Sequence, residues 1–489
     1  AVLDRNGFAL AVSTPSHRVV ADPMNIVDPG ATAALLAPIL GVDATVLTEQ
    51  LTPDAPGDRY ELLARNVDNE AIARIEHLEE DRATATSLVG VYVRPEEDRV
   101  YPAGDLARAV VGKVDPDEQG IYGVEQIYDA EMTGVPGSEQ LEVGRFGSIS
   151  VGSRKVEEAT AGHDLVLTLD QRIQYVAEQA LVEHCDATGA QGATAVMADP
   201  RTGEILAMAT ARRGDDGCFV PNYNSALVDA FEPGSVVKPV VVAAAVEELG
   251  YTSETLVDVP SRISVGGKTF IDHPEHPPAP FPISEILAES MNVGTILLAQ
   301  RLSADTVYRY LTDFGFGQPT ELGLTGESSG RLRAPEDWWG ADHASIPIGQ
   351  GVSVNATQLL SAYNVIANGG EFVPPTLVKS LEAPGGLAHG VDRASARRVI
   401  STRTAEEVTG SLVAVVNTGT GTNAAINGYQ VAGKTGTAWK VFDDGSGTLG
   451  YGAPGNRRYV VTFAGFLPAD DPQLSLVVVV DEPVTDTTA

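Results

Sequence analysis

The sequence predicts an α+β architecture, with strands first, helices next and strands again, and three observations predict it. ATAVMAD and EILAMAT flank the turn PRTG, a hairpin signature early in the C-terminal two thirds of the chain. RYVVTFAGFL and QLSLVVVV flank PADDP, a second hairpin at the end of the chain. Between them, apolar residues recur at helical spacing. Strand pairs taken from both ends of a domain, with helices between, assemble as one antiparallel sheet covered by helices.

Along the chain, ELLARNVDNEAIARIEHLEE (61–80) reads as an exposed helix, and RVYPAGDLARAVVG (99–112) as a turn followed by a short helix. GRFGSISVGSRKVEEATAGHD (144–164) is polar and rich in Gly and Ser, which marks a boundary between a domain at 1–160 and a second at 161–489. LVLTLD is a strand fragment leading into the helix QRIQYVAEQALVEHC. The SVVK and ISEILAES segments are helical, and NATQLLSAYNVIANGG starts with an Asn355, Gln358 capping pattern and ends on glycines.

Composition narrows the function. A net charge of -33 and an isoelectric point near 4.5 leave no basic stripe for phosphate backbones, so nucleic acid is not a partner, and anionic membrane surfaces repel the chain. No apolar run reaches the roughly 18 residues that span a bilayer, and SLVVVV reads as a buried strand. No basic segment precedes an apolar one at the start, so the chain as given is expected to be soluble, its abrupt AVLDRNG beginning being compatible with a removed anchor. Cys185 and Cys218 allow one bridge or two inert thiols. Asp272, His273, Glu275 and His276 crowd together in DHPEH, where a polar loop is preferred over a metal site, and no cofactor is called for.

Three short motifs carry chemistry. FEPGSVVKP places Ser235 and Lys238 three apart at a helix start, where a capping serine is the ordinary reading. SMN (Ser290 to Asn292) follows a helix and by itself reads as a junction, and GKTGT (Gly433 to Thr437) by itself reads as a Gly-rich turn, as does the near copy GGKTF at 266–270. Each is cheap by chance, although the chain has only seven lysines. Their order and spacing are what matter: Ser-x-x-Lys, Ser-x-Asn, then Lys-Thr-Gly beside the final hairpin resembles the trio of serine β-lactamases and penicillin-binding proteins.

Residues three apart on a helix share a face, so Lys238, if neutral, can take the Ser235 proton. Burial, the positive end of the helix dipole and the charge of Lys434 all favour the neutral amine. In that pattern Ser290 relays a proton to the leaving amine, and Asn292 binds a substrate amide. Lys434 with Thr435 and Thr437 receives a carboxylate, and the Ser235 and Thr437 N–H groups form an oxyanion hole.

The resemblance extends over almost the whole chain. DRNGFALAVS, RVYPAGDLARAVVG and GIYGVEQIYDAEMTGVPG are similar to the pedestal or "dimerisation" domain of class B penicillin-binding proteins. FEPGSVVKP, SMNVG, AGKTGTA and TFAGFLPADDPQLSLVVVVDEP resemble their transpeptidase domain, most of all in the septal, cell-division type. The resemblance implies a five-stranded antiparallel sheet covered by helices, preceded by an elongated pedestal. It implies a monofunctional peptidoglycan D,D-transpeptidase that cross-links stem peptides ending in D-Ala-D-Ala to an acceptor amine and is acylated by β-lactams. Ser235 is then the nucleophile, Lys238 the base, Ser290 and Asn292 the second motif, and Lys434, Thr435, Gly436 and Thr437 the third. It implies further a single N-terminal membrane anchor, an extracytoplasmic location, and a SEDS-type glycosyltransferase partner within the divisome.

The rivals are an elongation-type transpeptidase, a β-lactamase and a penicillin-sensing receptor; the last two have little use for a 160-residue pedestal. Class A hydrolases position their deacylating water with a glutamate four residues before an asparagine, between the second and third motifs. Here Asn355, Asn364, Asn368, Asn417, Asn423 and Asn427 are preceded at that distance by Gly351, Leu360, Asn364, Val413, Gly419 and Asn423. None is a glutamate.

Overall fold

The computed structural model describes residues 1–81, 83–140, 143–144, 147–148, 155–391, 393–443, 449–453 and 455–485. The boundary proposed at 144–164 falls largely outside them. The chain forms two compact units: a smaller one of Ala11–Pro102 with Ala1 and Pro116–Glu118, and a larger one of Val2–Leu10, Ala103–Asp115 and Gln119–Ala489. Among the described residues, no helix is long and apolar enough to cross a membrane.

In the smaller unit, strand Ala9–Ala21 lies antiparallel to both Glu61–Val67 and Val91–Val100. Helices Pro29–Leu40, Ala44–Gln50 and Asn69–Glu80 close a core that includes Val19, Leu36, Leu47, Leu63 and Ile75. Residues 61–80 are therefore not one helix. ELLARNV is a strand, Asn66 leaves it in the left-handed region at φ 54°, and the Asp68 carboxylate accepts the Ala71 N–H at 2.7 Å, so the helix starts only at Asn69. The N-cap aspartate inside the apolar pattern is the signal that divides it.

The larger unit is built on a sheet whose members are β1 (Gly192–Ala198), β2 (Ile205–Gly214), β3 (Gly217–Phe219), β4 (Ala432–Trp439), β5 (Tyr459–Leu467) and β6 (Leu474–Asp481). The order is β3-β2-β1-β6-β5-β4, antiparallel throughout, so the two predicted hairpins meet at the β1–β6 pair. The five expected strands are present, with the three-residue β3 added at one edge. Helix α1 (Gln171–Thr188) covers one face, Ala177, Leu181 and Cys185 packing on the alanines of β1 and β2, whose small side chains admit it closely. LVLTLD does not join this sheet. Residues Asp164–Leu167 pair in parallel with Val2–Leu3 and antiparallel with Val378–Ala383.

Helix α2 (Lys238–Leu249) is buried at every position from Lys238 to Val246, as an apolar-all-round sequence requires. Around it stand α3 (Ile283–Ala288), α4 (Asn292–Ala299) and α6 (Thr402–Asn417), with α5 (Ala356–Ala367) packed on α6. The α5 capping box forms as the sequence predicts, Asn355 Oδ1 accepting the Gln358 N–H at 2.8 Å and Gln358 Oε1 accepting the Asn355 N–H at 2.9 Å.

Cys185 of α1 and Cys218 of β3 form a disulfide, which resolves the open choice between bridge and thiols. It closes a loop with a sequence separation of 33. Loop-closure entropy on that scale stabilises by about 3 to 4 kcal/mol. Cys218→Ser is expected to lower the midpoint of thermal unfolding followed by calorimetry; an unchanged midpoint would mean that the bridge does not hold the β3 edge.

Candidate active site

Ser235 sits in a 3-10 turn, Gly234–Val237, that runs straight into α2 at Lys238. Neither start carries a side-chain cap, so Ser235 is not doing what serines ordinarily do at helix beginnings. In a 3-10 turn the side chains at i and i+3 eclipse, which aligns Ser235 with Lys238. The turn is held from two sides. The Gly234 N–H donates to the Gly349 carbonyl at 3.1 Å, and a Cβ on Gly349 would stand 2.1 Å from the Gly234 oxygen, so only glycine fits there. The Tyr363 hydroxyl, fully buried in α5, donates to the Val236 carbonyl at 3.0 Å.

Lys238 is wholly buried, and its Nζ donates to the Ser290 carbonyl at 2.6 Å, to Ser290 Oγ at 3.3 Å and to Asn292 Oδ1 at 2.8 Å. The first and second motifs thus meet at one nitrogen. Burial, with a further push from the charge of Lys434, holds the Lys238 pKa well below the usual lysine value, while the charge of Asp272 pulls the other way. The SMN motif is a helix junction, as its plain reading has it, since α3 ends at Ala288 and α4 begins at Asn292. It is a strained one. Ser290 has φ 57°, a left-handed conformation that a non-glycine residue holds only where its surroundings impose it.

The third motif is no turn. Gly433 to Thr437 lie within β4, in register with Gly465 to Val461 of β5, whereas the near copy GGKTF is a hairpin turn with Gly266 and Gly267 both at positive φ. Gly436 lets β4 run against the Ser235 turn: a Cβ there would come within 2.9 Å of Val236 Cγ1 and 3.0 Å of the Pro233 oxygen. Lys434 is fully buried, its Nζ donating to the Thr435 carbonyl at 3.2 Å and to Thr420 Oγ1 at 3.4 Å. Burial pushes its pKa down to about 7, against a smaller opposing pull from Glu289. Ser235, Ser290 and Asn292 are half-buried and Thr437 is exposed, so Ser235 and the far end of the strand are open to a ligand.

All eight residues expected from the sequence occur in this assembly, through the Lys238 contacts, the Gly436 approach and β4 itself. Three further side chains belong to it that are given no role from the sequence, although Glu232 lies within FEPGSVVKP and Asp272 within DHPEH. Thr420 Oγ1 stands 2.9 Å from Thr435 Oγ1, and its N–H is tied to the Ala288 carbonyl at 3.1 Å; the Thr-Gly run at 418–421 is the only trace of it in the sequence. Glu232 accepts from the Gly351 N–H and from the Tyr451 hydroxyl, each at 2.9 Å. Asp272, from DHPEH, is 2% exposed and not part of a loose loop. Glu275 of the same stretch pairs with Arg262, and no cluster of three or more His, Cys, Asp or Glu side chains suited to a metal occurs among the described residues. A cavity of about 490 Å³ lined by Arg212, Asp229, Glu232, Arg331, Trp439 and Lys440, among others, contains none of the eight.

Comparison with known proteins gives the following. Residues 193–489 match the penicillin binding protein transpeptidase domain, and residues 1–167 the penicillin-binding protein dimerisation domain. Penicillin-binding protein PbpB of Mycolicibacterium smegmatis is 38% identical over 404 residues, 79% of this chain and 61% of that one. Peptidoglycan D,D-transpeptidase FtsI of Escherichia coli is 30% identical over 499 residues, 99% of this chain and 79% of that one. The crystal structure of penicillin-binding protein 3 from Mycobacterium tuberculosis, complexed with aztreonam, superposes with a TM-score of 0.74 at 30% identity, covering 100% of this chain and 90% of that one. The chain spans 61% of the length of the mycobacterial relatives in sequence.

Proposed function

Because this chain belongs to the class B penicillin-binding proteins, with both the dimerisation and the transpeptidase domain of that family, we propose that it is a peptidoglycan D,D-transpeptidase acting through an ester on Ser235. The observation that carries the reading is the buried Lys238 amine, one turn from Ser235 and hydrogen-bonded to Ser290 and Asn292. Lys238, uncharged, takes the proton as Ser235 Oγ attacks the carbonyl of the penultimate D-Ala. The Ser235 and Thr437 N–H groups receive the oxyanion. The C–N bond breaks, Ser290 passes a proton to the leaving amine, and free D-Ala departs. An acceptor amine then attacks the ester, an amide forms, and Ser235 regains its proton. Asn292 holds the peptide amide, while Lys434, Thr435 and Thr437, with Gly436 keeping β4 close, hold the terminal carboxylate.

A β-lactam carries the same carboxylate beside a strained amide, and penicillin acylation of Ser235 follows from the same geometry. The aztreonam complex of the relative supports this. We assign the septal role on FEPG before the nucleophile and on the pedestal motifs, with a SEDS-type glycosyltransferase and divisome proteins as partners. Residues 1–160 serve as pedestal and supply no catalytic side chain, and 161–489 form the transpeptidase domain. The Cys185–Cys218 bridge supports a place on the extracytoplasmic face of the cell membrane, since disulfides persist in oxidising compartments. The test is turnover: a peptide ending in D-Ala-D-Ala, incubated with the protein and an amine acceptor, should give one free D-Ala per new amide bond, and no exchange under any acceptor would overturn the assignment.

The two lysines give a pH signature. Lys238 must be neutral to act, so acylation efficiency falls on the acid side. Lys434 must be charged to hold a carboxylate, so efficiency falls as pH rises through about 7. A bell-shaped profile is expected for the second-order acylation constant. Lys434→Ala should lose the alkaline limb and roughly ten- to a hundredfold of the efficiency at the optimum, the worth of a charge-assisted contact. Removing its positive charge should also move the acid limb to higher pH, because Lys238 then protonates more readily. An unchanged alkaline limb would place the carboxylate elsewhere.

A further inference from the structure

The second motif stands at the head of a helix that cannot cap itself. Met291, the residue at the N-cap of α4, offers no side-chain acceptor to the first N–H groups. The acceptor comes from twenty-one positions upstream, where Asp272 Oδ1 takes the Val293 N–H at 2.9 Å. Asp272 Oδ2 lies 3.2 Å from His276 Nε2, and its own N–H is fixed to the Ser261 carbonyl at 3.1 Å. The His276 ring is held in turn by an edge contact with Phe281, centroids 4.9 Å apart. The carboxylate is therefore anchored on its far side and aimed at the backbone three residues past the strained Ser290.

We propose that Asp272 is a positioning residue for the second motif: by capping α4 from outside, its carboxylate fixes Ser290 and Asn292 against Lys238 Nζ and supplies the negative charge that faces buried Lys238. The inference rests on the transpeptidase reading of Ser235 and Lys238. Three backbone contacts restrain Ser290, namely its N–H to the Leu287 carbonyl, its carbonyl from Lys238, and the Met291 N–H to the Ile286 carbonyl. All of these lie on the α3 and α2 side. On the α4 side Lys238 holds the Asn292 side chain and Thr295 donates to the Met291 carbonyl, while Asp272 takes the first-turn Val293 N–H that no residue of the junction caps, and a left-handed serine needs both sides held. The charges around Lys238 are Lys434 from β4 and Asp272 from the segment ahead of α3. His276 faces Asp272, and Glu289 acts on Lys434. The Asp272 carboxylate favours protonated Lys238, so its loss should make the amine easier to deprotonate.

Asp272→Asn keeps an oxygen for the Val293 N–H and removes the charge, while Asp272→Leu removes both. The second-order constant for penicillin acylation, read by intact mass between pH 5 and 9, should fall roughly ten- to a hundredfold on the plateau in the leucine variant. In the asparagine variant the plateau should hold within a few fold and the acid limb should shift to lower pH. Acylation by Asp272→Leu within twofold of the parent overturns the positioning role, and an unmoved acid limb in Asp272→Asn overturns the charge. Hydrogen exchange over residues 290–299 decides the cap without reference to chemistry: it should be faster in Asp272→Leu alone, and equal exchange in all three proteins overturns it. A parent protein that never acylates, with exchange as expected, would refute the transpeptidase reading and leave the cap standing.

Discussion

Ser235→Ala is expected to abolish covalent labelling by penicillins outright while leaving the unfolding transition where it was. The hydroxyl caps neither its own turn nor α2, and the residue is half-buried, so its loss opens no core cavity. The turn is held by backbone contacts through Gly349 and Tyr363 that alanine leaves intact. What disappears is the hydroxyl to which the proposed reaction attaches the acyl group. Lys238→Ala should fall by several orders of magnitude without reaching zero, since the serine remains but its base does not, and general-base catalysis alone is worth about 10² to 10⁴. A labelled mass persisting in Ser235→Ala would remove this serine from the chemistry altogether, and near-parental acylation by Lys238→Ala would move the base.

The second large effect is in time. The penicilloyl adduct should persist for many minutes to hours, against the rapid turnover of a β-lactamase. Hydrolysis needs a water held by a base that is free to take its proton, and no glutamate lies four residues before any asparagine between the second and third motifs. Two carboxylates beside the site have other work. Glu232 accepts from Gly351 and Tyr451, and Asp272 from Val293 and His276. A supplied amine should clear the ester where water does not. Intact mass followed after removal of free penicillin measures this directly, and loss of the adduct within seconds with repeated turnover would make the protein a hydrolase.

What could be read from the sequence divides along a physical line. Ser235 with Lys238, Ser290 with Asn292, and Lys434 to Thr437 are each a few residues long, so local spacing announces them and chain order ties them together. The two hairpins and the α5 capping box are local in the same sense. The partners of those residues are not. Thr420 reaches Lys434 only because a loop after α6 docks on Ala288, and Asp272 reaches Val293 from across a cis His273–Pro274 bend in the chain. No periodicity marks either of them. Residues 61–80 misled for a different reason: apolar Leu62, Leu63 and Ala64 suit a helix face as well as a strand, and only the cap at Asp68 tells where one becomes the other.

Val2 and Leu3 are two residues with no pattern at all, yet Val2 is completely buried beside Leu165, and Asp4 holds the Gln171 N–H at the head of α1. Their partners therefore follow only after about 160 further residues. At the usual pace of a ribosome, about 5 to 20 residues per second, roughly ten to thirty seconds pass between the emergence of the first strand and that of the residues it must pair with. The residues at 11–102, with a core of their own, have that interval to fold first. The larger unit closes around a strand that has waited, unpaired, through that interval, and its assembly is a long-range event of the slow kind. Cutting the chain near residue 160 would not release a finished enzyme from its pedestal; it would take away the strand on which the final closure depends.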